Sequence, residues 1–238
     1  MVQSYYIEET ASTNTLMWHL LQKEKIPEGF MVYTDFQQAG KGQKGNIWES
    51  EKGKNLLFSI FLYPGNIPLD QFFLISQLIS VGIKNALDKL SDGITVKWPN
   101  DIYWNDKKLA GILIENSFQA NKVKMVVGIG LNVNQIKFES GAPNPVSLKQ
   151  ILNYDLNRFE LLESIYDEII KLYSELNADE IRSNYIQMLY RKDGFHSFRA
   201  ENEIFLAKIA CVNTDGRLEL ITSSGELKKF YFKEVEFI

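Results

Sequence analysis

A glycine-rich basic loop lies near the start of the chain, where the sequence reads Gly40-Lys41-Gly42-Gln43-Lys44-Gly45. The spacing matches the dinucleotide-binding pattern G-x-G-x-x-G, which requires a strand before it and a helix at its end. The residues after Gly45 show no apolar stripe at helical spacing, and Trp48 follows at once. The Walker pattern also fails, because no Gly-Lys-Ser/Thr follows. We therefore expect an anion site whose positive charge comes from Lys41 and Lys44 rather than from a helix N-terminus.

Composition places the chain among ordinary globular proteins. Of its 238 residues, 45% are hydrophobic and 24% are charged, so it can bury a substantial core. The net charge of −4 argues against a general nucleic-acid binder, which needs surplus lysine and arginine. The single cysteine, Cys211, cannot form an internal disulfide, and two separated histidines, His19 and His196, predict no metal site.

The expected location is cytoplasmic, with no membrane partner. No apolar run approaches the roughly 20 residues that cross a bilayer. The N-terminus also lacks the charged and apolar regions of a signal peptide. A reducing compartment agrees with the lone cysteine.

Hydrophobic periodicity predicts a mixed α+β chain. A polar cap at residues 12–14 precedes an apolar face at helical spacing, and a long amphipathic helix is expected over residues 69–90. Asn157 is expected to cap another helix, with Glu160 at the capping-box position, and a further helix follows over residues 179–191. The predicted strands are 1–7, 30–36, 56–63, 94–98, 101–104, 108–115 and 122–133.

The pattern changes beyond Asp193-Gly194. Short alternating strands are predicted at residues 204–212, 217–222 and 227–232, separated by glycine-containing turns. This pattern indicates a small β-barrel. We therefore expect two domains, residues 1–191 and residues 192–238, packed together because no flexible linker separates them.

A second motif, Lys97-Trp98-Pro99-Asn100-Asp101, brings a cation, an aromatic ring and a carboxylate to a proline-fixed turn. It can simply begin a hairpin, with the aspartate hydrogen-bonded within the turn and the lysine side chain extended to solvent. However, Lys108-Leu109-Ala110-Gly111 returns along the paired strand after a turn at residues 105–107. Lys108 can then lie on the same side of the hairpin as Asp101. That arrangement favours anion handling with proton transfer.

Other residues have both a structural and a functional interpretation. Ser12 and Thr13 can cap a helix or contact a ligand. Trp48 can belong to the core or offer a stacking surface. Gly128 and Gly130 lie in a predicted strand, where they mark either a β-bulge or the close approach of a ligand or backbone.

The joint occurrence of these motifs resembles the biotin protein ligases, enzymes that attach biotin to a lysine of a carboxylase carrier domain. Five motifs occur in the family's order: Ser12-Thr13-Asn14, Gln37-Gln38-Ala39-Gly40-Lys41-Gly42 with Lys44-Gly45 and Trp48, Lys97-Trp98-Pro99-Asn100-Asp101, Lys108 to Glu115, and Gly128-Ile129-Gly130-Leu131-Asn132. The resemblance implies a class II synthetase-like catalytic domain of the biotin/lipoate ligase type. The C-terminal segment resembles the family's SH3-like domain.

The resemblance implies that biotin is adenylated with ATP and Mg²⁺ to biotinyl-5′-AMP, after which the carrier lysine displaces AMP. The implied partner is a biotin carboxyl carrier protein. Some family members begin with a DNA-binding helix-turn-helix domain, but eleven residues precede Ser12, so we expect no DNA partner. The oligomeric state stays open between a monomer and a homodimer.

The resemblance also assigns roles to residues. The implied catalytic residues are Lys108, Asp101 and Lys41, with Lys108 and the loop lysines shielding negative charge and Asp101 orienting or deprotonating the carrier lysine. The implied biotin-binding residues are Ser12, Thr13, Asn14, Gln37, Gly40, Lys41, Gly42, Gln43, Lys108, Gly111, Gly128 and Gly130. The implied ATP- and adenylate-binding residues are Lys41, Lys44, Gly45, Trp48, Asn55, Lys97, Asn100 and Asn132.

The loop departs from the family pattern at two positions, because many members carry arginines where Lys41 and Gln43 stand. Neither side chain makes arginine's planar two-pronged contact with an anion, so retention of the adenylate is in question. Three alternatives remain open on sequence grounds. They are a lipoate ligase, which would not need the polar residues at 12–14 and 37, a non-catalytic binding module, and a nicotinamide oxidoreductase.

Overall fold

A computed structural model describes residues 3–65, 67–119, 122–139 and 144–238; the side chains of Lys44, Gln119 and Lys122 lie outside that description. The first seven strands are β1 (Ser4–Thr10), β2 (Met31–Gln37), β3 (Leu56–Leu62), β4 (Ile94–Lys97), β5 (Asp101–Trp104), β6 (Lys107–Gln119) and β7 (Lys122–Leu131). They form one sheet in the order β1-β2-β3-β7-β6-β5-β4. β1 and β2 are parallel, and the other neighbours are antiparallel.

The described helices are α1 (Thr13–Lys23), α2 (Phe73–Leu87), α3 (Leu148–Leu152), α4 (Arg158–Ser174) and α5 (Ala178–Gln187). α2 packs closely on α4, because Gly82 leaves room for Ile169: an added Cβ would lie 2.8 Å from its Cγ1. The Asn157 side chain caps α4 by accepting from the backbone N–H groups of Phe159 and Glu160. None of the helices in the described residues combines the length and apolar character needed to span a bilayer.

A second sheet forms the C-terminal part, from β8 (His196–Ala200), β9 (Glu203–Val212), β10 (Leu218–Thr222), β11 (Leu227–Phe230) and β12 (Glu236–Phe237), in the order β11-β10-β9-β8-β12. Trp98, in the turn after β4, joins the two sheets. Its indole N–H donates to the carbonyl of Gly216 at 2.9 Å, and its ring lies 6.2 Å from that of Phe232. The C-terminal sheet therefore lies beside the Lys97–Asp101 turn.

The predicted hairpin between β5 and β6 is confirmed. Asn105 and Asp106 form its turn, with Asn105 at φ 49°, a conformation that asparagine tolerates well. The pairing register shifts between Ile102 and Tyr103, which places Tyr103 opposite Lys108. The hairpin thus presents the first residues of β6 to the turn that follows β4.

Candidate active site

One cleft of about 1120 Å³ gathers most of the sequence-predicted site residues. It is bounded by the loop at residues 40–48, the start of α1, the middle of β6 and β7, and the C-terminal residues 232–237. The predicted residues that line it are Ser12, Thr13, Asn14, Gln37, Lys41, Gly42, Gln43, Gly45, Trp48, Lys97, Asp101, Lys108, Gly111, Gly128 and Gly130.

A buried polar network forms one end of the cleft. The backbone N–H and the hydroxyl of Thr13 both donate to Gln37 Oε1, at 2.8 and 3.1 Å. Ser59, which is fully buried in β3, can donate to either Asn14 Oδ1 at 2.6 Å or Thr13 Oγ1 at 2.7 Å. These groups offer donors and acceptors inside an otherwise apolar sheet.

Glu115 completes this network from β6. Its Oε2 accepts from Asn14 Nδ2 at 3.0 Å and from the indole N–H of Trp18 at 3.2 Å. The alternative role of Ser12 as a side-chain cap is not observed: Ser12 stands at the N-cap position of α1, yet no hydrogen bond from its side chain caps the helix. The cap residues 12–14 instead face the cleft.

Gly128 and Gly130 do not mark a β-bulge. β7 pairs in continuous register with both β3 and β6 at these positions. Each glycine instead makes room for a side chain of the protein. A Cβ on Gly128 would lie 2.9 Å from Asn14 Cγ, and a Cβ on Gly130 would lie 2.5 Å from Cε2 of Trp48.

Trp48 is half-buried and lines the cleft, where its indole packs against glycines of β6 and β7. A Cβ on Gly111 would approach its Cζ3 to 3.0 Å, so glycines of β6 and β7 together form the slot that holds the indole. The indole N–H is buried and has no hydrogen-bond partner among the described residues. A flat aromatic ring with a free donor suits a site for a heterocyclic ligand.

The glycine-rich loop is closed on itself and bonded to the turn between β4 and β5. The N–H of Gly42 donates to Asn46 O at 2.7 Å, and Gln43 Nε2 donates to Asn100 Oδ1 at 2.9 Å. As predicted, no α-helix follows Gly45: the loop contains a single 3-10 turn at Gln43–Gly45. A dinucleotide fold of the Rossmann type is therefore excluded.

Lys108 and Asp101 meet as the hairpin register predicts. The Lys108 ammonium lies 2.7 Å from Asp101 Oδ2, and each side chain is about a quarter to a third exposed, at 26% and 30%. Lys97 is the second cation of this end of the cleft. Burial lowers the pKa of Lys97 below its ordinary value, although Asp101 opposes the shift.

Four predicted residues do not line the cleft. Asn55 is fully buried. Its Nδ2 donates to Gln135 Oε1 at 2.6 Å, and its Oδ1 accepts from the backbone N–H of Val133 at 3.0 Å. Asn132 donates to the carbonyl of Val146 and Asn100 to that of Ile112, whereas Gly40 packs against the backbone of Trp48. The adenine-reading role of Asn55 and Asn132 stays a prediction. The side chain of Lys44 lies outside the described residues.

The site also contains residues to which the sequence assigned no role in binding or catalysis. Ser59 had a detectable signal, since it is the one polar residue in the apolar strand 56–62. The C-terminal residues had no such signal, because they lie more than 100 positions away in sequence from the other residues of the cleft. These additional residues are Asn46, Ile47, Trp98, Tyr103, Ile112, Leu113, Ile129, Phe232, Lys233, Val235, Glu236 and Phe237.

The described residues contain no group of three or more acidic, histidine or cysteine side chains that could hold a metal ion. Two carboxylates that line the cleft form ion pairs, Asp101 with Lys108 and Glu236 with Arg199, the latter at 3.1 Å.

Comparison with known proteins agrees with this geometry. The sequence model of the biotin/lipoate A/B protein ligase family matches residues 6–132. The bifunctional ligase/repressor BirA of Bacillus subtilis is 29% identical over 252 residues, covering 99% of this chain and 74% of that protein. BirA of Escherichia coli is 31% identical, covering 72% of this chain and 54% of that protein.

Solved structures share the fold. The biotin protein ligase of Aquifex aeolicus in complex with biotin and ATP superposes with a TM-score of 0.81 at 23% identity, covering 100% of this chain and 99% of that one. The likeness extends over both sheets, including the C-terminal one. On the family match and the shared fold, the chain belongs to the biotin/lipoate A/B protein ligase family.

Proposed function

We propose that this protein is a biotin protein ligase that adenylates biotin with ATP to biotinyl-5′-AMP and transfers the biotinyl group to a lysine of a biotin carboxyl carrier domain. The observation that carries the proposal is the convergence, in one cleft, of the Lys108–Asp101 pair, the basic loop and the polar network around Asn14. The relatives named above as ligases support it. We retain the boundary between residues 191 and 192 as the proposed limit of the catalytic domain.

In the first step, a carboxylate oxygen of biotin attacks the α-phosphorus of ATP and pyrophosphate leaves. Both reactants are anions, so positive groups must offset their repulsion and the charge that builds on the phosphoryl oxygens. Lys108 and Lys97 line the same cleft as the loop residue Lys41. We assign Lys108 to the transition state and the other two lysines to the phosphates.

In the second step, the amine of the carrier lysine attacks the biotinyl carbonyl carbon and AMP leaves. The attacking amine must lose a proton. When Lys108 turns toward the nucleotide, the carboxylate of Asp101 loses its partner at 2.7 Å and becomes a free acceptor. Asp101 then orients the carrier amine or accepts its proton.

Magnesium is proposed as part of the substrate, bound to the phosphates of ATP. Mg²⁺ usually binds substrate phosphates together with few protein ligands, so the cation is expected to enter with ATP. When bound, it supplies charge neutralisation of the leaving pyrophosphate.

Biotin fits the polar end of the cleft better than lipoate does. The ureido ring carries two N–H donors and a carbonyl acceptor, whereas a dithiolane has neither. Gln37 and Asn14 line the cleft and offer hydrogen-bonding groups that a ureido ring can use and an apolar dithiolane cannot. A carrier domain is accordingly proposed as the protein partner, and a cytoplasmic location as the place of reaction.

Pyrophosphate release with ATP and Mg²⁺ tests the function. Release is expected with biotin and not with lipoate, and a purified carrier domain should then become detectable with streptavidin. Release of pyrophosphate with lipoate and not with biotin would indicate a lipoate ligase instead. An absence of release with either acid would point to a non-catalytic binding module.

The loop residues Lys41 and Gln43 should contribute unequally to retention of the adenylate. Gln43 Nε2 already holds Asn100 Oδ1 at 2.9 Å, so Gln43→Arg is expected to leave release of free biotinyl-AMP nearly unchanged. Lys41 lines the cleft and supplies charge, so Lys41→Ala should increase release about tenfold. Mass spectrometry of bystander proteins incubated with ATP and biotin measures the release as unspecific lysine labelling.

Lys54→Ala is the matched control, since Lys54 follows the loop in sequence but does not line the cleft. It should label bystanders no more than the native protein does. Heavy labelling by the native protein that Gln43→Arg suppresses would show that the neutral side chain leaves the adenylate poorly held.

A further inference from the structure

The Lys97 ammonium lies against three aromatic rings at the edge of the cleft. Its Nζ is 4.9 Å from the ring centroid of Tyr103, 5.4 Å from that of Phe237 and 6.0 Å from that of Tyr190. Cation–π attraction acts within about 6 Å. Tyr103 belongs to β5 and Tyr190 follows α5, whereas Phe237 belongs to the C-terminal sheet. We call these three rings the aromatic cup.

The two lysines of this region are held in different ways. Lys108 forms an ion pair with Asp101, whereas no carboxylate of the described residues lies within 4.0 Å of Lys97 Nζ. Lys97 donates one hydrogen bond, to the hydroxyl of Tyr103 at 3.3 Å, although an ammonium has three donors. Aromatic faces attract a cation without cancelling its charge, so the charge of Lys97 stays available to an anion in the cleft.

Phe237 is fixed in place by its own sheet. Its ring lies 5.0 Å from that of Phe198 in an edge-to-face arrangement, and the two residues are paired across β8 and β12. On either side of it, Glu236 pairs with Arg199 at 3.1 Å and the N–H of Ile238 donates to Ser197 O at 3.0 Å. A ring held this firmly can hold a flexible lysine side chain in one direction.

We propose that Phe237 is a positioning residue for the reaction: its ring holds the Lys97 ammonium toward the phosphates of the nucleotide. The inference rests on the proposed function and extends it, because it makes the last strand of the C-terminal sheet part of the nucleotide site. A carboxylate in the same place would fix Lys97 equally well but would neutralise it. The aromatic ring orients the cation and leaves its charge for the phosphates.

Kinetic measurements can distinguish a loss of Lys97 orientation from a general disturbance of the fold. Phe237→Leu keeps apolar contact with Phe198 but removes the aromatic face, so the KM for ATP is expected to rise about tenfold while the KM for biotin stays within about twofold. Phe237→Tyr, which retains a ring, should restore the native KM for ATP.

Phe205→Leu is the matched control. Phe205 is also half-buried, lies in the same sheet and has a lysine, Lys228, 5.2 Å above its ring, but it does not line the cleft. Its replacement should leave the KM for ATP unchanged. An equal rise in both leucine variants, or a rise in the KM for biotin with Phe237→Leu, would overturn the proposal in favour of a structural effect.

A second measurement does not depend on activity. Reductive methylation with ¹³C-labelled formaldehyde gives each lysine an NMR signal, and the signal lost in Lys97→Arg belongs to Lys97. Ring currents should shift that signal upfield in the native protein, and Phe237→Leu should move it to the position of exposed lysines. An unmoved signal overturns the proposal. If no pyrophosphate is released by the native protein, the proposed function fails, and the NMR signal alone decides whether Phe237 holds Lys97.

Discussion

Replacing Lys108 with alanine is expected to slow biotin-dependent pyrophosphate release by about 100-fold or more, the usual cost of removing a group that stabilises transition-state charge. The side chain lies in the cleft with its ammonium 2.7 Å from Asp101, so its loss also leaves a carboxylate facing the incoming phosphates. The fold should survive. The backbone of Lys108, not its side chain, joins the hairpin to the segment after β7, through bonds of 2.8 and 2.9 Å to Asn144 and Val146.

Lys107→Ala is the control for this variant, because Lys107 is the neighbouring lysine of β6 and is exposed outside the cleft. It should release pyrophosphate at the native rate. The double variant Lys108→Ala with Asp101→Asn then separates two explanations. Substantial recovery would mean that the uncovered carboxylate, rather than the missing cation, caused the loss. Near-native release by Lys108→Ala itself would remove Lys108 from the mechanism.

Local pairing explains why this part of the site was predictable from sequence. Lys108 and Asp101 are seven positions apart, and a short turn at Asn105 and Asp106 brings their strands together in a determined way. The alternation of side chains along paired strands then places both groups on one side. A different local signal predicts β3: a continuous apolar run indicates a strand that is buried on both faces, and every residue of β3 is buried.

Boundaries and short elements were predicted less well. The periodicity predicts a long helix from residue 69, but Leu69–Gln71 forms a 3-10 turn after Pro68 and α2 begins at Phe73. No helix is predicted at α3 from the sequence, although Ser147 and Gln150 form a capping box at the start of this five-residue helix. The strands β8 and β12 were also missed. Such short segments contain too few residues for a helical or strand periodicity of hydrophobic residues to be recognised.

Contacts between distant parts of the sequence are the least predictable from a local pattern. The resemblance places Asn55 and Asn132 on the adenine side, and that role stays a prediction; in the structure their amides bond buried backbone and side-chain groups. Nothing local in the sequence distinguishes an amide that binds a ligand from one that satisfies a buried loop. The approach of Phe237 to Lys97 is equally invisible, because it depends on how two sheets pack.

Gly128→Ala is expected to weaken biotin binding by about 100-fold, which corresponds to roughly 2.7 kcal/mol. The added Cβ would lie 2.9 Å from Cγ and 3.1 Å from Nδ2 of Asn14, and closer still to its Oδ1. Asn14 cannot move aside freely, since it is 2% exposed and bonded to Ser59 and Glu115. Displacing it leaves buried polar groups without partners, each at a cost of about 1–3 kcal/mol. Calorimetric titration with biotin measures the affinity without requiring turnover.

The matched control is Gly65→Ala, because a Cβ at Gly65 would meet no atom within 4 Å. It should bind biotin normally. A double-mutant cycle then tests the cause, since Asn14→Ala removes the atoms that the new methyl group would strike. If the clash with Asn14 is the mechanism, adding Gly128→Ala to Asn14→Ala should weaken binding no further, and the two effects will be far from additive. Additive losses would show that the methyl group obstructs the ligand directly, and that Gly128, rather than the network it accommodates, borders the biotin ring.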